Sequence, residues 1–321
     1  MIRILKRDIE RVMKSKKIIR VVYFTDAGKE LALKLFDDWD KAIPEYRNEQ
    51  LSLNDWVQDS FENHLPILFI GAVGIAVRAI APFVNNKLKD SAVVVTDELG
   101  LNVIPILSGH FGGANDWARA IAEKIDSNPV ITTATDINNV FAVDVFAREN
   151  GFKIKNKEMI KVVSTKALKG EKLNAIETQE YLDIDGLWLV PKRLTLGIGC
   201  KKGKTFKELF EFITSIYDEE YLYDNLYAIS SIDVKASEIG LIKLAQYFGV
   251  PFVTFSADEL LAVEGAFNDS DFVKENVGVG NVCERSALLA AGEESTIIKE
   301  KKAFDGMTLA AARREKIVID W

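Results

Sequence analysis

The sequence predicts an α/β protein made of two Rossmann-like domains with parallel sheets, which are joined by a smaller central segment. Short runs of β-branched residues alternate with amphipathic stretches, a pattern typical of a parallel sheet covered by helices. The alternation is clear at first, weakens in the middle of the chain and then resumes. A chain of 321 residues also exceeds the usual size of one hydrophobic core. We therefore predict an N-terminal domain over 1–137, a central segment over 138–191 and a C-terminal domain over 192–321.

The N-terminal domain is predicted to start with two buried strands, each followed by a helix. "KIIRVVYFT" (17–25) and "LPILFIG" (65–71) are rich in β-branched and aromatic residues, and glycine or proline marks the turns beside them. "SAVVVTDELGLNVIPIL" predicts two strands around a turn at 98–100. The other predicted elements are a helix over 28–39, a short helix ending near Pro82, a helix over Ala114–Ile125 and a strand over 128–136.

The pattern of strands and helices restarts after Pro191. Two helices are predicted before it, in "VFAVDVFAREN" (140–150) and "KEMIKVVSTKALKG" (157–170). The C-terminal domain is predicted to contain strands over 195–199, 226–230 and 252–255, with helices over 206–216 and 239–248. The alanine-rich "MTLAAARRE" (307–315) predicts a last helix, because alanine has the highest helix propensity.

The composition argues against several classes of function. A formal net charge of −7 gives no general attraction for nucleic acid. No apolar run reaches membrane-spanning length, and the charged start of the chain lacks the apolar middle of a secretory signal. The two cysteines, Cys200 and Cys283, match no paired metal-ligand spacing, which predicts a cytoplasmic protein without a metal site of its own. No serine lies in a glycine elbow, so a serine hydrolase is disfavoured.

The most specific local signal is "SGHFGGAN", just before a predicted helix. Its glycines, Gly109, Gly112 and Gly113, leave backbone amides open to an anionic group at a helix start, and Ser108 and Asn115 offer side-chain hydrogen bonds. The loop also contains His110, whose ordinary pKa lies close to neutrality. These residues predict proton chemistry on an anionic substrate. A histidine that only caps its own loop is the alternative. The other histidine, His64, is expected at the surface.

A second glycine loop, in "GAVGIAVRAIAPF", follows a predicted strand. Gly71 and Gly74 allow a bound group to approach the backbone, and ligands of open parallel sheets bind at strand ends of this kind. Arg78 lies about one helical turn after Gly74, so its guanidinium could return to the loop and bind a carboxylate. The alternative is a glycine-containing turn before a packed helix, with Arg78 in solvent.

Carboxylates and threonines also occur where predicted strands end. Asp97 and Glu98 follow "VVVT", and Asp136 follows a run that contains Thr133 and Thr135. Catalytic groups of α/β proteins are commonly found at such positions. Each carboxylate could instead cap a turn.

The C-terminal domain contains "GIGCKKGKT", which nearly matches a phosphate-binding loop. That motif requires four residues between the first glycine and the Gly-Lys pair, but Gly197 leaves five and Gly199 leaves three. Lys201 and its neighbouring lysines at a helix start still favour an anion. A tight turn with solvated lysines is the alternative.

Several blocks of the sequence, taken in order, resemble the cobalt-precorrin-5A hydrolase (CbiG-type) family of anaerobic cobalamin biosynthesis. They are "GIAVRAIAP", "AVVVTDELG", "LSGHFGGANDWARAIA" and "PVITTATDINNVFAVD", followed by "LGIGCKKG", "ISSIDVKASEIGL", "PFVTFSADEL", "VGVGNVCERSALLAAG" and "GMTLAAARRE". The resemblance extends from about Ile18 to Arg314. The C-terminal blocks also resemble a small stand-alone protein of the aerobic pathway. The chain departs from the family at Gly280-Asn281, where proline and serine are more frequent.

The resemblance implies a large cobalt-bearing tetrapyrrole as the substrate, so that the cobalt arrives with the substrate and no cofactor is needed. Family members open a lactone on the ring A acetate with water, and acetaldehyde then leaves to give cobalt-precorrin-5B. His110 would be the acid or base, and Asp97, Glu98 or Asp136 would orient it or act as a second one. Axial ligation of cobalt is a rival role for His110. In the C-terminal domain, Lys201 and Lys235 would bind carboxylates of the macrocycle. Neighbouring enzymes of the pathway and a second copy of the chain are candidate partners.

Two other classes of function stay open from the sequence. A non-catalytic tetrapyrrole carrier would use the same loops for binding alone. A phosphate- or nucleotide-binding α/β enzyme would use the loop at Gly197–Thr205.

Overall fold

The computed structural model describes residues 16–86, 89–267, 269–270, 274–275 and 277–316. Within them the chain forms two compact units, one over Ile18–Val190 and the other from Pro191 onward. Both units contain a sheet with parallel strand pairs and helices packed on it, so the predicted α/β class is confirmed. Among the described residues, no helix combines the length and the apolar character that are needed to cross a membrane.

The first unit is built on a six-stranded sheet. Its strands are β1 (Lys17–Tyr23), β2 (Ala42–Tyr46), β3 (Ile67–Ile70), β4 (Val93–Thr96), β5 (Asn102–Leu107) and β6 (Asn128–Pro129). They lie in the order β2-β1-β3-β4-β5-β6. Strands β1, β3 and β4 are parallel, whereas β5 is antiparallel to β4, with Leu107 opposite Val93. The two strands predicted around the turn at 98–100 are therefore confirmed as an antiparallel pair.

Helices cover both faces of this sheet, which is why its central strands are apolar at nearly every position. The helices are α1 (Asp26–Phe36), α2 (Leu53–Glu62), α3 (Val73–Ile80) and α4 (Ala114–Ile125). Alternate side chains of a strand point to opposite faces. Ile19 and Val21 accordingly pack in one core with α1 and α4, while Val22 and Phe69 pack in a second core with α2 and α3.

The strand predicted over 128–136 is much shorter in the structure. Only Asn128 and Pro129 pair with β5, and the chain then turns into a short helix, α5 (Ala134–Ile137). Threonine favours strands through packing on a sheet rather than through an intrinsic backbone preference. Here the run of threonines instead leads into α5, where the side chain of Asp136 is held by His110 and by Arg119 of α4.

The later part of the first unit combines two helices with a small sheet. Both predicted helices are confirmed, as α6 (Val143–Glu149) and α7 (Met159–Leu168). The sheet has the order β7-β10-β9-β8, formed by β7 (Phe152–Ile154), β8 (Ala175–Glu177), β9 (Leu182–Ile184) and β10 (Leu187–Pro191). The boundary predicted at 137–138 lies inside this compact unit, since α6 carries side chains that contact the loop at His110.

The second unit contains a five-stranded sheet. Its strands are β11 (Leu194–Cys200), β12 (Leu226–Ile232), β13 (Phe252–Phe255), β14 (Thr296–Phe304) and β15 (Met307–Arg313), in the order β13-β12-β11-β15-β14. The three predicted strands are β11, β12 and β13, and they are parallel. Its helices are α8 (Phe206–Thr214), α9 (Glu219–Asn225), α10 (Ile239–Tyr247), α11 (Ala257–Leu261) and α12 (Val282–Ala291).

The prediction of a helix in "MTLAAARRE" is wrong, because Met307–Arg313 forms strand β15. Every residue of β15 pairs antiparallel with β11, and the alanines Ala310, Ala311 and Ala312 are fully buried. Ala312 packs against Ala287 and Ala291 of α12, a contact that only small side chains allow. The helix propensity of alanine is a weak preference, and tertiary pairing and packing override it here.

Close packing of neighbouring elements leaves no room for a side chain at Gly197 and Gly199 of the predicted anion loop. A β-carbon at Gly197 would fall well inside the van der Waals radius of the Cys283 carbonyl oxygen on α12, and only 2.7 Å from Ser286 Oγ. One at Gly199 would lie 2.6 Å from Thr308 Oγ1 on β15. Both glycines thus lie within the sheet, where they allow α12 and β15 to approach β11.

Candidate active site

The loop between β5 and α4 is folded tightly on itself, and its glycines make this possible. A β-carbon at Gly109 would lie 2.7 Å from Asn115 Oδ1, and one at Gly112 would lie 2.6 Å from the β-carbon of Ser108. Gly113 has a φ of +80°, in the left-handed region that favours glycine. These glycines are therefore required by the shape of the loop itself.

Several of the polar groups predicted to bind an anion are used inside the loop. Three backbone amides donate to loop carbonyls at 3.0–3.1 Å: Gly113 to His110, Ala114 to Ser108, and Asn115 to Gly109. The Ser108 hydroxyl donates to the carbonyl of Asp90 at 2.9 Å. This loop therefore fixes the position of His110, and these groups are not free to bind an anion.

His110 lies between two aspartates, one at each ring nitrogen. Nε2 is 2.7 Å from Oδ2 of Asp136, and Nδ1 is 3.3 Å from Oδ2 of Asp144. The Thr135 hydroxyl lies 3.1 Å from Nε2. About a sixth of each of the three charged side chains is exposed. With a carboxylate at each nitrogen, both nitrogens are placed to donate, which is the hydrogen-bonding pattern of the imidazolium form.

Asp136 is held by further donors. Arg119, on α4, donates to its Oδ1, and the amide of buried Asn115 donates to its Oδ2 at 2.9 Å. The same Asn115 amide also donates to Thr133 Oγ1 at 3.1 Å. The structure therefore brings together His110, Asp136, Asn115, Thr133 and Thr135 from the predicted set. Their predicted chemical roles stay predictions.

Helix α6 supplies two residues that sequence patterns did not reveal, Asp144 and Arg148. They are four residues apart and thus lie on one face of the helix. Asp144 faces the His110 ring, while Arg148 donates to the His110 carbonyl and, at 2.6 Å, to Asp116. The i,i+4 pair of an acid and a base in "VDVFARE" was the available signal, but such pairs are frequent on solvated helix faces.

The charges around His110 shift the pKa of all three groups. The hydrogen bond with Asp144 raises the pKa of His110 above its ordinary value; burial opposes this, and Asp136 adds to it. Burial disfavours the charged forms of Asp136 and Asp144. Hydrogen bonds outweigh that effect, from Arg119 and His110 for Asp136 and from His110 for Asp144, so the pKa of each carboxyl is lowered. The three shifts act together: each favours the arrangement of an imidazolium between two carboxylates.

A cavity of about 330 Å³ opens beside His110. One part of its wall is polar, with His110, Asp136, Arg119, Arg148, Asp116, Glu149 and Asn115. The other part is apolar and comes from the start of α6 and the residues before it, with Val140, Phe141, Ala142, Val145 and Phe146. A cavity with an apolar wall and a few converging polar groups has the character of a small-molecule site. In this arrangement, His110 can donate a proton to a polar group that is bound in the cavity.

The two carboxylates do not form a metal site with His110, because they lie on opposite ring nitrogens and cannot converge on one ion. Throughout the part of the chain that the structure describes, no group of three or more His, Cys, Asp or Glu residues is placed to bind a metal.

The other predicted site residues of the first unit lie at the opposite edge of the sheet from His110. Gly71 and Asp97 follow the carboxyl ends of β3 and β4, where Ile70 pairs with Thr96. The loop of His110 follows Leu107, which pairs with Val93 at the start of β4. From the sequence we expected Asp97, Glu98 or Asp136 to act beside His110, which requires them to lie at the same edge. The antiparallel direction of β5 instead takes the His110 loop to the other edge.

At that opposite edge, Asp97 and Glu98 are held by hydrogen bonds from other residues of the first unit. Asp97 accepts hydrogen bonds from the amides of Leu99, Leu101 and Asn102, and these lower its pKa although burial acts in the other direction. Glu98 accepts from the Thr25 hydroxyl at 2.6 Å. Asp97 therefore stabilises the turn between β4 and β5, and Glu98 connects this turn to Thr25.

The second glycine loop has the geometry that the spacing suggested. The Arg78 guanidinium returns toward Gly74 and lies 3.5 Å from where a β-carbon of that glycine would be. Gly71 has a φ of +151° and donates its amide to the Thr96 carbonyl at 2.8 Å. Arg78 is exposed and forms no ion pair with the described residues.

The two lysines predicted to bind carboxylates lie in the second unit. Lys201 is exposed, and its backbone amide donates to the Gly306 carbonyl at 2.9 Å. Lys235 is paired with Glu238 at 2.9 Å. Glu238 also accepts from the Gly203 amide at 2.8 Å, so it connects the lysine-rich loop to the start of α10.

The stability of the protein should depend on pH at both ends of a window set by His110 and its two aspartates. The pKa of His110 is raised from 6.5, so its contribution is complete below that value and is lost as the pH rises through the raised pKa. The pKa values of Asp136 and Asp144 are lowered from 3.8, so their contribution is present above that value and is lost as the pH falls through the lowered pKa values.

Urea unfolding of the protein and of His110→Gln from about pH 3 to about pH 9 checks this expectation. We expect the difference in the free energy of unfolding to be greatest between about pH 4 and about pH 6 and to shrink on both sides. A difference that is the same at every pH would contradict the charged arrangement.

Comparison with known proteins confirms the resemblance given by the sequence blocks. A profile described as "Cobalamin synthesis G N-terminal" matches residues 55–136, and one described as "Cobalamin synthesis G C-terminus" matches residues 194–312. The protein is also 30% identical over 121 residues to "Protein CobE" of a Sinorhizobium species, which covers 37% of this chain and 79% of that protein.

Two longer relatives carry the same name. A "Cobalt-precorrin-5A hydrolase" of Salmonella typhimurium is 35% identical over 293 residues, which cover 78% of this chain and 83% of that protein. A "Cobalt-precorrin-5A hydrolase" of Priestia megaterium is 27% identical over 343 residues, which cover 88% of this chain and 91% of that protein. With both profiles matched and a relative of this identity covered over most of its length, the chain belongs to the cobalamin synthesis G (CbiG) family.

Proposed function

We propose that this protein is a cobalt-precorrin-5A hydrolase, which opens the ring A acetate lactone with water and releases acetaldehyde to give cobalt-precorrin-5B. Membership of the CbiG family and the names of its relatives support the substrate. The observation that carries the chemistry is the His110 ring, held between Asp136 and Asp144 beside a cavity. A protonated imidazole held in this way is suited to general acid catalysis.

In the first step water adds to the lactone carbonyl, and the ring C–O bond breaks. The alkoxide that leaves takes the proton from Nε2 of His110, so the products are a carboxylate, a hydroxyl group and a neutral imidazole, and both protons of the water pass to solvent. The raised pKa of His110 favours this step, because it increases the fraction of the imidazole that is charged before the reaction begins.

In the second step the neutral imidazole takes the proton of the new hydroxyl group. A C=O bond forms as the carbon–carbon bond to the macrocycle breaks, the electron pair passes to the conjugated ring, and acetaldehyde leaves. His110 returns to the imidazolium form, so one residue serves as acid and then as base.

The cobalt in this proposal arrives with the substrate, and the chain needs no cofactor of its own. The charged His110 favours the proton role over axial ligation, because a protonated imidazole has no lone pair for a metal. We propose the cytoplasm as the site of the reaction, in keeping with the free thiols of Cys200 and Cys283. Neighbouring enzymes of the pathway and a second copy of the chain are the proposed partners, and no nucleic acid or membrane takes part.

Anaerobic incubation of the protein with cobalt-precorrin-5A tests the proposal. We expect trapped acetaldehyde and a product mass that corresponds to addition of water and loss of acetaldehyde. Protein that retains the pigment without either change would instead be a non-catalytic carrier. A nucleotide panel in a thermal shift assay is expected to show no stabilisation, and a specific shift would favour the phosphate-binding alternative.

A further inference from the structure

Of the two carboxylates that face His110, one lines the cavity and the other does not. Asp136, at Nε2, belongs to the wall of the cavity, together with Thr135. Asp144, at Nδ1, is not among the described residues that line it, although Val145, the next residue, is. A bound molecule would therefore meet the Nε2 side of the ring. The Nδ1 side faces Asp144 on α6 and not the cavity.

The other partners of the two carboxylates differ as well. Asp136 has the Arg119 guanidinium and the Asn115 amide in addition to His110, so it keeps a cation when the Nε2 proton is given away. Within the described chain, Asp144 has His110 as its single ionic partner, and its Oδ1 accepts from the backbone amide of Val145 at 3.1 Å. The charge of Asp144 is thus coupled to one group, the Nδ1 side of the imidazole.

We propose that Asp144 is a positioning residue, which holds the hydrogen on Nδ1 of His110 and keeps Nε2 directed at the cavity in both protonation states of the ring. The proposal rests on the proposed function, in which Nε2 first gives and then takes a proton. Arg148 supports the same arrangement from one helical turn further along α6, because it donates to the His110 carbonyl. One face of α6 therefore fixes both the ring and the backbone of His110.

The physical reason concerns the neutral intermediate. An imidazole that has lost a proton can carry its remaining hydrogen on either nitrogen, and a hydrogen bond at one nitrogen decides which. Both nitrogens face a carboxylate, but the charge of Asp136 is compensated by Arg119 and Asn115, whereas Asp144 has only the ring. The remaining hydrogen is therefore kept at Nδ1, beside Asp144, and the lone pair is left on Nε2, where the second proton must be taken. The charged groups near the ring come from α4, α5 and α6. They are Asp136, Asp144, Arg119, Arg148, Asp116 and Glu149.

NMR of ¹⁵N-histidine-labelled protein tests the proposal without substrate, because the chain has only two histidines and His64 serves as an internal reference. At a pH above the pKa of His110, we expect its ¹⁵N shifts to report a neutral ring with the hydrogen on Nδ1. A ring with the hydrogen on Nε2 would overturn the proposal, and this measurement needs no variant.

The variant Asp144→Asn provides a second test. We expect the pKa of His110 to fall, because the amide keeps the shape of the side chain but removes its charge. Asp144→Glu keeps the charge and should leave the pKa raised. The matched control is Asp126→Asn at the exposed end of α4, where φ is +55° and asparagine tolerates the left-handed conformation. It removes the same charge and should leave the pKa of His110 unchanged.

Steady-state kinetics separate this proposal from the proposed function. For Asp144→Asn we expect kcat to fall on the order of 100-fold at neutral pH, with KM changed by less than about threefold, and Asp144→Glu to recover part of the loss. If the pKa of His110 does not fall in folded Asp144→Asn, the positioning role is refuted. If the pKa falls and kcat keeps its value and pH profile, the positioning role stands and the proton role of His110 in the proposed function is refuted.

Discussion

His110→Ala is expected to lower the rate of acetaldehyde release from cobalt-precorrin-5A by about 10²–10⁴-fold, the range over which a positioned acid or base accelerates a reaction. The affinity for the substrate should change by less than about threefold, because the imidazole is expected to act on the reacting oxygen and not to anchor the macrocycle. Anaerobic kinetics and a titration of the bound pigment by its absorption spectrum measure the two quantities.

The matched control is His64→Asn. His64 is the other histidine of the chain; it contacts the Lys89 carbonyl through Nδ1 at 2.8 Å and has a φ of +52°, which asparagine tolerates. This variant should keep full turnover. If His110→Ala instead loses substrate binding together with a changed cobalt spectrum, the histidine is an axial ligand, and the proton role is wrong. Turnover that survives the substitution would remove His110 from the chemistry altogether.

Gly197→Ala is expected to lower the free energy of unfolding by about 3 kcal/mol or more, which is the upper range for overpacking a buried site. The added methyl group would meet backbone atoms of α12, the Cys283 carbonyl and the Ala287 amide, and backbone cannot rotate away as a side chain does. Urea unfolding of the purified protein measures the change.

Gly203→Asn, in the loop that follows β11, is the control for this substitution. Gly203 has a φ of +83°, and a β-carbon added there would have no other atom within 4 Å, so asparagine should cost less than about 1 kcal/mol. Equal stability of the two variants would mean that α12 does not pack on β11 as the structure has it. It would also restore the anion-binding interpretation of Gly197.

Local patterns in the sequence were sufficient for most of the fold. The buried strands β1, β3, β11, β12 and β13 and the helices α4, α6 and α7 each have an apolar pattern of the matching period, and the structure contains all of them. The failures came where a long-range contact decides. Residues 307–315 are alanine-rich and locally helical in character, yet pairing with β11 makes most of them a strand.

Only part of the candidate site could be predicted from the sequence, because the rest depends on contacts between residues that are far apart along the chain. "SGHFGGAN" marked His110, because histidine is scarce in this chain and this one lies among three glycines before a helix. Asp144 and Arg148 carried no comparable mark, since an acid and a base one turn apart on a helix are ordinary. Their contact with His110 depends on how α6 packs on the loop, many residues away along the chain, and no local pattern encodes that packing.

The sequence by itself determined the α/β class, the elements that alternate along the chain, the histidine loop and the family. The tertiary structure decided which edge of the sheet carries that loop, which carboxylates face the imidazole, and hence that the pKa of His110 is raised. The reason is physical: the period of apolar residues is a local property, whereas strand direction and the pKa of a buried group depend on neighbours brought together by folding.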